Sequence, residues 1–428
     1  MKHPVYWFLI SSGLIASTSL SFAAPKEETL NSSNSYNGND GSNTTFNPKE
    51  SSETNGMQYT CNGNVCIAYA DTNSKSCFSQ TNGDLFFLGN GYSLCFDNIT
   101  STNKPGAIEV STDDKQLSIS GFSVFSCSYC PPGTTGQGAI QSKGLTNFKD
   151  NAKIIFDRNC STEEGGAVKC GTGSNAELKF EGNQNLIFSG NSSQKKGGAI
   201  FAKKLTISSE GPTLFSANSV SKDSDPKGGA ICIDTSGECN LTANRGDIVF
   251  DGNKVITTSG TKKTIRNAID ISTSGKFTQL RAKDGFAIFF YDPVTGTGAT
   301  DELKLNDAAG SEVYNGKIIF SGEKLSLEEK VESENFKSTF KQALKLESGS
   351  LVLKNGVILE AKSFTQTAGS VVMDLGTTLE TSSTGGENIS LSNLSVNIAS
   401  LGGGGVPLQQ PLSNLKPLQK PLLSPTSI

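Results

Sequence analysis

Short apolar runs that end in a polar turn dominate the middle of the chain, and from residue 148 to residue 200 they recur as a unit. Phe148-Lys-Asp-Asn151 and Phe156-Asp-Arg-Asn159 are followed by Gly165-Gly-Ala-Val168. The same order returns at a constant offset of 32 residues and ends at Gly197-Gly-Ala-Ile200. A fixed period of this length predicts stacked supersecondary units rather than one globule.

Each unit is typical of short strands joined by turns. The apolar residues of Lys153-Ile-Ile-Phe156 precede a turn whose Asn tolerates a left-handed backbone. Gly-Gly then opens the next strand, where chains can approach closely. Because repetition at one offset requires equivalent coils, the pattern predicts an all-β fold, a right-handed parallel β-helix over residues 59–401, in which Phe stacks on Phe and Asn on Asn. The repeat-motif residues are Phe148, Asn151, Phe156, Asn159, Gly165, Gly166, Phe180, Asn183, Phe188, Asn191, Gly197, Gly198, Phe215, Asn218, Gly228, Gly229, Phe250 and Asn253.

The C-terminal part of the chain carries a helix signal and a second, shorter period. Ser326-Leu-Glu-Glu329 has the spacing of a capping box, and the apolar residues that follow predict one short helix near 326–342. Glu347-Ser-Gly-Ser-Leu-Val-Leu353 then aligns with Thr367-Ala-Gly-Ser-Val-Val-Met373 at an offset of 20 residues. Twenty residues suit one coil, so the solenoid is expected to continue.

The paired Phe-x-x-Asn and Gly-Gly-Ala-Ile motifs resemble the passenger region of the chlamydial polymorphic membrane proteins, which are autotransporter-like surface proteins. Tyr291-Asp-Pro293, at the end of an apolar run, resembles a further landmark of that family. The resemblance implies an outer-membrane, cell-surface or secreted protein that acts in host-cell adhesion or as a variable surface antigen. It also implies a host-cell receptor as partner and disulfide links to other envelope proteins.

The first residues are typical of an export signal. Lys2 precedes a mostly apolar run from Val5 to Leu20, and small residues before Ala24 predict cleavage between Ala23 and Ala24. The run is shorter than the roughly 20 residues that a membrane span requires, so no transmembrane segment is expected in the mature chain. Residues 24–58 are rich in Asn, Ser, Thr and Gly and predict a flexible polar leader.

The other end of the chain differs in composition from the repeats. Residues 402–428 contain Gly402-Gly-Gly-Gly405 and five prolines, which predict a hinge followed by an extended tail. This tail departs from the pattern of the family that the repeats resemble. No strands of a translocator barrel follow it, so we expect a passenger that is truncated before the barrel and stays in the periplasm unless another protein exports it.

Candidate chemistry is sparse. The one His, His3, lies in the signal segment, and the net charge of −4 gives no attraction for nucleic acid. Phosphate-binding and nucleophile-elbow motifs are absent from the sequence. We therefore predict no catalytic, cofactor-binding or metal-binding residues and no enzyme activity. Two alternatives stay open: a carbohydrate-active β-helix enzyme, which a lateral groove lined by Asp, Arg and Lys would favour, and a nonfunctional remnant of a longer gene.

Ten cysteines in an exported chain predict disulfides, although spacing leaves their connectivity open. Local pairs that are attractive are Cys61 with Cys66, Cys160 with Cys170, and Cys232 with Cys239. Cys127-Ser-Tyr-Cys130 has the spacing of a redox site or half a zinc site, but no matching second half supports either use.

Arg245, Gly246 and Asp247 form a tripeptide that some cell-surface integrins recognise. A receptor contact is one interpretation and requires an exposed loop. The other is a turn that leads into the strand Ile248-Val-Phe250, where Gly and Asp are ordinary residues.

Overall fold

A computed structural model describes residues 24–37, 47–72, 74–131, 136–171, 173, 175–222, 224–382 and 389–398. The predicted cleavage residue Ala23 and the predicted tail 402–428 lie outside these described residues, while Ala24 lies inside them. The described chain is almost entirely β, and its long sheets are built from parallel strands. The fold is therefore a parallel β-helix, as predicted.

Three walls form around the coil, and we name them by the motif that each contains. Wall 1 carries Phe148 and its equivalents. Its strands are Lys26–Leu30, Met57–Cys61, Leu85–Leu88, Leu117–Ser120, Leu145–Lys149, Glu177–Glu181, the second parts of Ile200–Ser209 and Ile231–Ala243, Lys276–Ala282, Glu302–Leu305, Ala343–Leu346, Phe364–Gln366 and Ile389–Ser390.

Wall 2 carries Phe156 and its equivalents and is one sheet of 13 strands. Its strands are Tyr36–Asn37, Val65–Ala68, Ser93–Asp97, Val124–Ser128, Ile154–Asp157, Leu186–Ser189, Thr213–Ser216, Ile248–Asp251, Ala287–Phe290, Lys317–Ser321, Ser350–Lys354, Ser370–Asp374 and Leu394–Asn397. Each coil contributes one strand to this sheet, so its 13 strands correspond to 13 coils in the described chain.

Wall 3 follows the Gly-Gly-Ala-Ile motif. Its strands are Lys49–Ser51, Phe78–Gln80, Ile108–Val110, Ile140–Ser142, Val168–Cys170, the first parts of Ile200–Ser209 and Ile231–Ala243, Ile269–Ile271 and Val294–Gly296. A separate sheet of Lys337–Thr339, Ile358–Ala361 and Thr378–Thr381 follows wall 2 in the last coils. Five short strands line the corner after wall 2: Cys160–Ser161, Ser192–Ser193, Ser219–Lys222, Lys254–Thr257 and Lys263–Arg266, of which the last two pair antiparallel.

Stacked aromatic rings fill the core in the predicted register. Phe148 pairs with Phe180 on wall 1, and Phe156 pairs with Phe188 on wall 2. On wall 2 the stack continues through six rings, whose successive centroids lie 5.1, 4.6, 4.9, 5.2 and 4.9 Å apart: Phe156, Phe188, Phe215, Phe250, Phe290 and Phe320. Each buried ring contributes about 1.5–3 kcal/mol by leaving water, and each aromatic pair adds about 0.5–1.5 kcal/mol.

In the C-terminal part of the solenoid, the 20-residue period of the sequence corresponds to one coil of the structure, as predicted. Leu351 pairs with Val371 and Leu359 with Leu379, so the 20-residue offset is one coil. These coils are shorter because the long connections between the walls of the earlier coils are absent from them. The prediction that the solenoid continues beyond residue 347 is confirmed.

The polar leader predicted for residues 24–58 differs from the structure. Lys26–Leu30 pairs in parallel with Met57–Cys61, and Lys49–Ser51 pairs with Phe78–Gln80. Of the first strand only Leu30 is buried. Backbone hydrogen bonds to an existing strand edge need no apolar side chains, which is why composition alone missed these strands.

The helix predicted near 326–342 is wrong. The capping box does form, because Ser326 N donates to Glu329 Oε2 at 2.9 Å and Glu329 N donates to Ser326 Oγ at 3.3 Å. The segment instead makes two short 3-10 turns, Glu329–Val331 and Ser333–Phe336; a further one, Ser32–Asn34, lies in the first coil of the described chain. Leu327 and Val331 are 79% and 81% exposed, so the apolar spacing there does not mark a buried helix face.

We expect Phe188→Ala to cost about 3–5 kcal/mol, because it removes a ring stacked on both sides within the core. The matched control is Phe289→Ala, which removes a half-buried ring on the outer face of the same wall. Urea unfolding followed by circular dichroism checks the difference. Equal losses for the two variants would contradict the inward column.

Candidate interaction surface

The Asn of each Phe-x-x-Asn motif turns inward and forms a ladder of buried amides. Asn191 illustrates the geometry: its Nδ2 donates to Phe156 O and to Asn218 Oδ1, both at 2.9 Å. Its Oδ1 accepts the backbone N and the Nδ2 of Asn159, at 3.1 and 2.9 Å. The hydrogen-bonding capacity of the amide is therefore used in full by its neighbours in the stack. The members on the wall 2 side are Asn159, Asn191, Asn218 and Asn253, and all are fully buried.

Asp292 ends this ladder and is the acceptor that the sequence did not reveal. Its Oδ2 accepts the N and Nδ2 of Asn253 at 2.9 and 2.7 Å, and its Oδ1 accepts Gly252 N at 3.0 Å. Arg266 Nη1 donates to the same Oδ1 at 2.9 Å. Burial raises the pKa of the Asp292 carboxyl to about 6, and the Arg266 charge acts in the opposite direction. The Tyr-Asp-Pro landmark was the available signal, because Asp can replace the accepting oxygen of Asn.

Arg266 gathers charged residues at this end of the ladder, but no open groove results. Glu329 lies 3.0 Å from the Arg266 Nε and 3.1 Å from the Lys254 Nζ. Asn335 Oδ1 accepts Arg266 N at 2.7 Å, and the Arg266 and Asp292 side chains are 5% and 0% exposed. A substrate could not reach this buried carboxylate, so the cluster does not provide the lateral groove that the carbohydrate-active alternative needs. Among the residues that the structure describes, no group of three His, Cys, Asp or Glu side chains could hold a metal ion.

Each glycine of the Gly-Gly pair is required for a different structural reason. Gly197 has φ +64°, a left-handed backbone that favours glycine. Gly198 lies against the next coil so closely that a Cβ would be 2.1 Å from Gly229 O. Close stacking at this corner therefore requires both glycines, and neither position presents a side chain to a ligand.

On wall 2 the outward side chains form an apolar row. The row begins at Ile155, next to Phe156, and each member is paired in register with the next one. All are half-buried except Ile319 and Val352, which are 7% and 5% exposed. We call these residues the apolar row: Ile155, Ile187, Leu214, Val249, Phe289, Ile319, Val352 and Val372. The corresponding outward row of wall 1 is polar and includes Ser118, Asn147, Lys179 and Thr206.

A second surface feature lies at the edge of wall 2, at the third position of the motif. Tyr69, Asn98, Tyr129 and Arg158 each follow a wall 2 strand with φ between 51° and 53°. The backbone N of each residue donates to the carbonyl of the last residue of the wall 2 strand in the next coil, for example Tyr129 N to Asp157 O at 2.9 Å. The left-handed turn directs the side chains away from the core, and we call these four residues the Tyr/Arg column. The third position of Phe-x-x-Asn can be any residue, so the motif did not predict the Tyr/Arg column.

Contacts within the Tyr/Arg column fix its side chains before any partner arrives. The Arg158 guanidinium carbon lies 4.1 Å from the Tyr129 ring centroid, and Nη1 donates to Tyr129 Oη at 2.9 Å. Arg158 Nε donates to Asp157 Oδ2 at 2.7 Å. Tyr69 and Tyr129 are nevertheless 43% and 46% exposed. Tyr and Arg are the side chains enriched at energetic centres of protein interfaces.

The Arg245-Gly246-Asp247 tripeptide is folded into a tight turn. Arg245 is exposed and pairs with Glu210 at 3.0 Å, but Gly246 is buried against Gly211. Asp247 Oδ1 accepts the backbone N of Ala287 at 2.8 Å. The geometry favours the turn interpretation, because the carboxylate that a receptor would need is already engaged.

None of the three attractive local cysteine pairs is bonded in the structure. Cys61 is buried inside wall 1 whereas Cys66 is exposed on wall 2. Cys127 and Cys130 are both buried, and burial raises the pKa of the Cys130 thiol to about 12. A thiol of this kind is a poor nucleophile, so the redox interpretation of this pair has no support.

The fold and the surface together define a repeat solenoid that presents an extended outer face. A model of the Chlamydia polymorphic membrane protein repeat matches residues 185–203, which contain the second Phe-x-x-Asn and Gly-Gly-Ala-Ile pair. A model of the Chlamydia polymorphic membrane protein middle domain matches residues 349–422. The two matches fall in the regions of the 32-residue and 20-residue periods. The second runs through most of the predicted tail, so the view that the tail departs from the family pattern is wrong.

Full-length relatives agree with these matches. The probable outer membrane protein pmp10 of Chlamydia pneumoniae is 37% identical over 94% of this chain and 54% of its own length. Pmp2 of the same organism is 42% identical over 94% of this chain and 48% of its own length. Pmp12 is 33% identical over 83% of this chain and 70% of its own length. The chain belongs to the chlamydial polymorphic membrane protein family, and it spans about half the length of pmp10 and pmp2.

No solved structure matches the chain. Within the described residues, none of the helices has the length and apolar character to span a bilayer.

Asn191→Ala is expected to lower the stability by at least about 3 kcal/mol, because it leaves the buried Asn159 N, Asn159 Nδ2 and Phe156 O without the amide that they contact. Asn82→Ala is the matched control, since this exposed amide makes one long contact to Ser52 O at 3.4 Å. Urea midpoints measured in parallel decide the matter. A urea midpoint for Asn82→Ala that falls as far as that of Asn191→Ala would contradict the proposed ladder.

Asp292→Asn is expected to destabilise the chain more at about pH 4 than at about pH 7. The folded chain holds the Asp292 proton up to pH about 6, whereas an unfolded Asp releases it near about 3.9. The stability contribution of this raised pKa is thus present at low pH and is lost as the pH rises to about 6. Asn does not titrate, so the gap between the urea midpoints of wild type and variant narrows as pH rises. A gap that is constant or widens would contradict the prediction.

Proposed function

We propose that this protein is an exported outer-membrane or cell-surface protein that adheres to host cells through the outer face of wall 2. The observation that carries the proposal is the apolar row, which runs through eight consecutive coils while the equivalent row of wall 1 is polar. Six of the eight side chains are partly exposed, and a continuous patch of partly exposed apolar side chains is typical of an interaction site. The names of the relatives, outer membrane proteins of Chlamydia pneumoniae, support the location.

The chemistry of the face fits a protein partner. At about 4.7–4.9 Å per coil, the eight residues of the apolar row extend over about 33 Å, a length comparable with that of a protein interface. The Tyr/Arg column adjoins the row where Arg158 and Ile155 share a coil. Protein interfaces are enriched in aromatic residues and Arg, and these side chains often carry most of the binding energy. We therefore expect a host-cell surface protein as receptor, rather than a glycan or a lipid.

The same architecture supports a role as a variable antigen. Stacked Phe and Asn side chains constrain the inward positions, whereas outward positions between the rows contact solvent. Substitutions at outward positions cost little stability, usually within about 0.5 kcal/mol. The outer surface can therefore change while the coil stays intact.

Beads coated with the purified chain are expected to bind cultured epithelial cells, and Ile187→Thr with Leu214→Thr is expected to reduce the bound beads several-fold. Thr is β-branched and therefore suits strands, but it removes apolar surface at both positions. Lys179→Thr with Asn240→Thr, on the outer face of wall 1, is the matched control and is expected to leave binding unchanged. Urea midpoints establish that both variants fold. Full binding by the Ile187/Leu214 variant would exclude the apolar row.

A second pair of variants separates the Tyr/Arg column from the tripeptide. Tyr129→Ala with Arg158→Ala is expected to weaken binding, while Arg245→Ala with Tyr92→Ala removes an exposed Arg and Tyr elsewhere and is expected to have no effect. Loss of binding in the Arg245/Tyr92 variant, with full binding by Tyr92→Ala alone and by the Tyr129/Arg158 variant, would move the receptor contact to the tripeptide and overturn the assignment to wall 2.

A further inference from the structure

Two cysteines face outward at the first coils of wall 2 and lie in direct register. Cys66 on Val65–Ala68 is the pairing partner of Cys95 on Ser93–Asp97. Their neighbours on each strand point into the core: Val65 pairs with Leu94 and Ile67 with Phe96, and all four are buried. Because side chains alternate along a strand, the two thiols must project from the same outer face.

The distance between the two backbones fits a disulfide. Neighbouring strands of a sheet lie about 4.7–4.9 Å apart, and disulfides join Cα atoms about 4.4–6.8 Å apart. Cys66 is exposed and Cys95 is half-buried, so a small oxidant can reach both. Burial raises the pKa of the Cys66 thiol, and the nearby Cys95 thiol and Asp97 carboxylate raise that pKa further.

We propose that Cys66 and Cys95 are the site of an oxidative modification, a disulfide that joins the second and third coils on the outer face. The oxidant is a small aliphatic disulfide of the glutathione type. The Cys66 thiolate attacks one sulfur of the oxidant and displaces a thiolate, which leaves a mixed disulfide. The Cys95 thiolate then attacks the Cys66 sulfur and displaces the second thiolate. Two protein protons end on two released thiols, and two electrons pass to the oxidant.

The other cysteines are less suited to this reaction. Cys61, Cys77, Cys127, Cys130, Cys170, Cys232 and Cys239 are buried. Cys160 is half-buried but is paired in register with Ser192, whose Oγ lies 3.1 Å from the Cys160 Sγ. Serine also pairs with Cys95 from the following coil, as Ser126. The outer row therefore accepts serine, and Cys→Ser variants there should fold.

A link between these coils would oppose opening from the N-terminal end. Segments with few buried apolar side chains open more readily than the rest of a structure. The first coil is held on wall 1 by Lys26–Leu30, of which one residue is buried. A disulfide between the second and third coils would keep these two coils together when the first coil separates.

The test uses the full chain, reduced, freed of reductant and incubated with oxidised glutathione. Mildly alkaline buffer is needed, because burial raises the pKa of the Cys66 thiol above its usual value. After free thiols are blocked, cleavage after Lys and before Asp yields a fragment 50–70 with Cys61 and Cys66 and a fragment 84–96 with Cys95. We expect these two fragments to be linked, with two fewer titratable thiols in the native chain.

Variants assign the link to single residues. Cys66→Ser and Cys95→Ser are each expected to abolish it, while Cys61→Ala is expected to leave it intact. Nicking at Lys75, which lies between the two cysteines, should leave one band on a non-reducing gel and two after reduction. A link that survives in Cys66→Ser, stable glutathione adducts on both thiols, or dimers joined through Cys66 would each overturn the proposal.

Discussion

A buried asparagine amide brings two donor hydrogens and an accepting oxygen into the core, and a parallel stack of identical amides satisfies all of them. Each Asn of the ladder gives its hydrogens to the carbonyl of one coil and the amide oxygen of the next, as Asn191 does toward Phe156 and Asn218. A shift of one residue in either coil would leave these groups unpaired at a cost of about 1–3 kcal/mol each. The ladder therefore fixes the register, and the Phe rings stack because the register is fixed.

Register decides what the outside of the molecule presents. Once Phe156 and Phe188 face inward, Ile155 and Ile187 must face outward and meet in adjacent coils. The fold does not require these outward positions to be apolar, since the equivalent positions of wall 1 are Asn147 and Lys179. Apolar residues on a solvated face bring a risk of association. Their presence in coil after coil is the observation on which the proposed receptor contact rests.

Sequence reasoning reached the parts of the structure that identical side chains dictate. The strands, the Phe columns and the 20-residue coils follow from spacing alone, because stacking repeats whatever the sequence repeats. The first strand, Lys26–Leu30, could not be predicted, since its pairing rests on backbone groups that every residue carries. The false helix at 326–342 has the opposite cause: its capping box is real, but a cap stabilises one turn and cannot supply a buried face for Leu327 and Val331. The Tyr/Arg column was hidden because a motif written as Phe-x-x-Asn discards the position that the left-handed turn directs outward.

The end of the ladder is built from different chemistry than its interior. A stack of amides ends in donors that need an acceptor, and here Asp292 provides one in place of a further Asn. A buried carboxylate requires a cation, which Arg266 supplies from the antiparallel strand Lys263–Arg266, and Glu329 in the 3-10 segment contacts that cation in turn. These neighbours occupy the corner where a further Asn coil would lie. Two long coils follow, in which Ile288 pairs with Ile318 and Ile318 with Leu351, before the 20-residue offset from Leu351 to Val371 begins. A new third sheet starts at Lys337–Thr339. One substitution of oxygen for nitrogen at the ladder's end thus brings in the Arg266 charge and the 3-10 segment that carries Glu329.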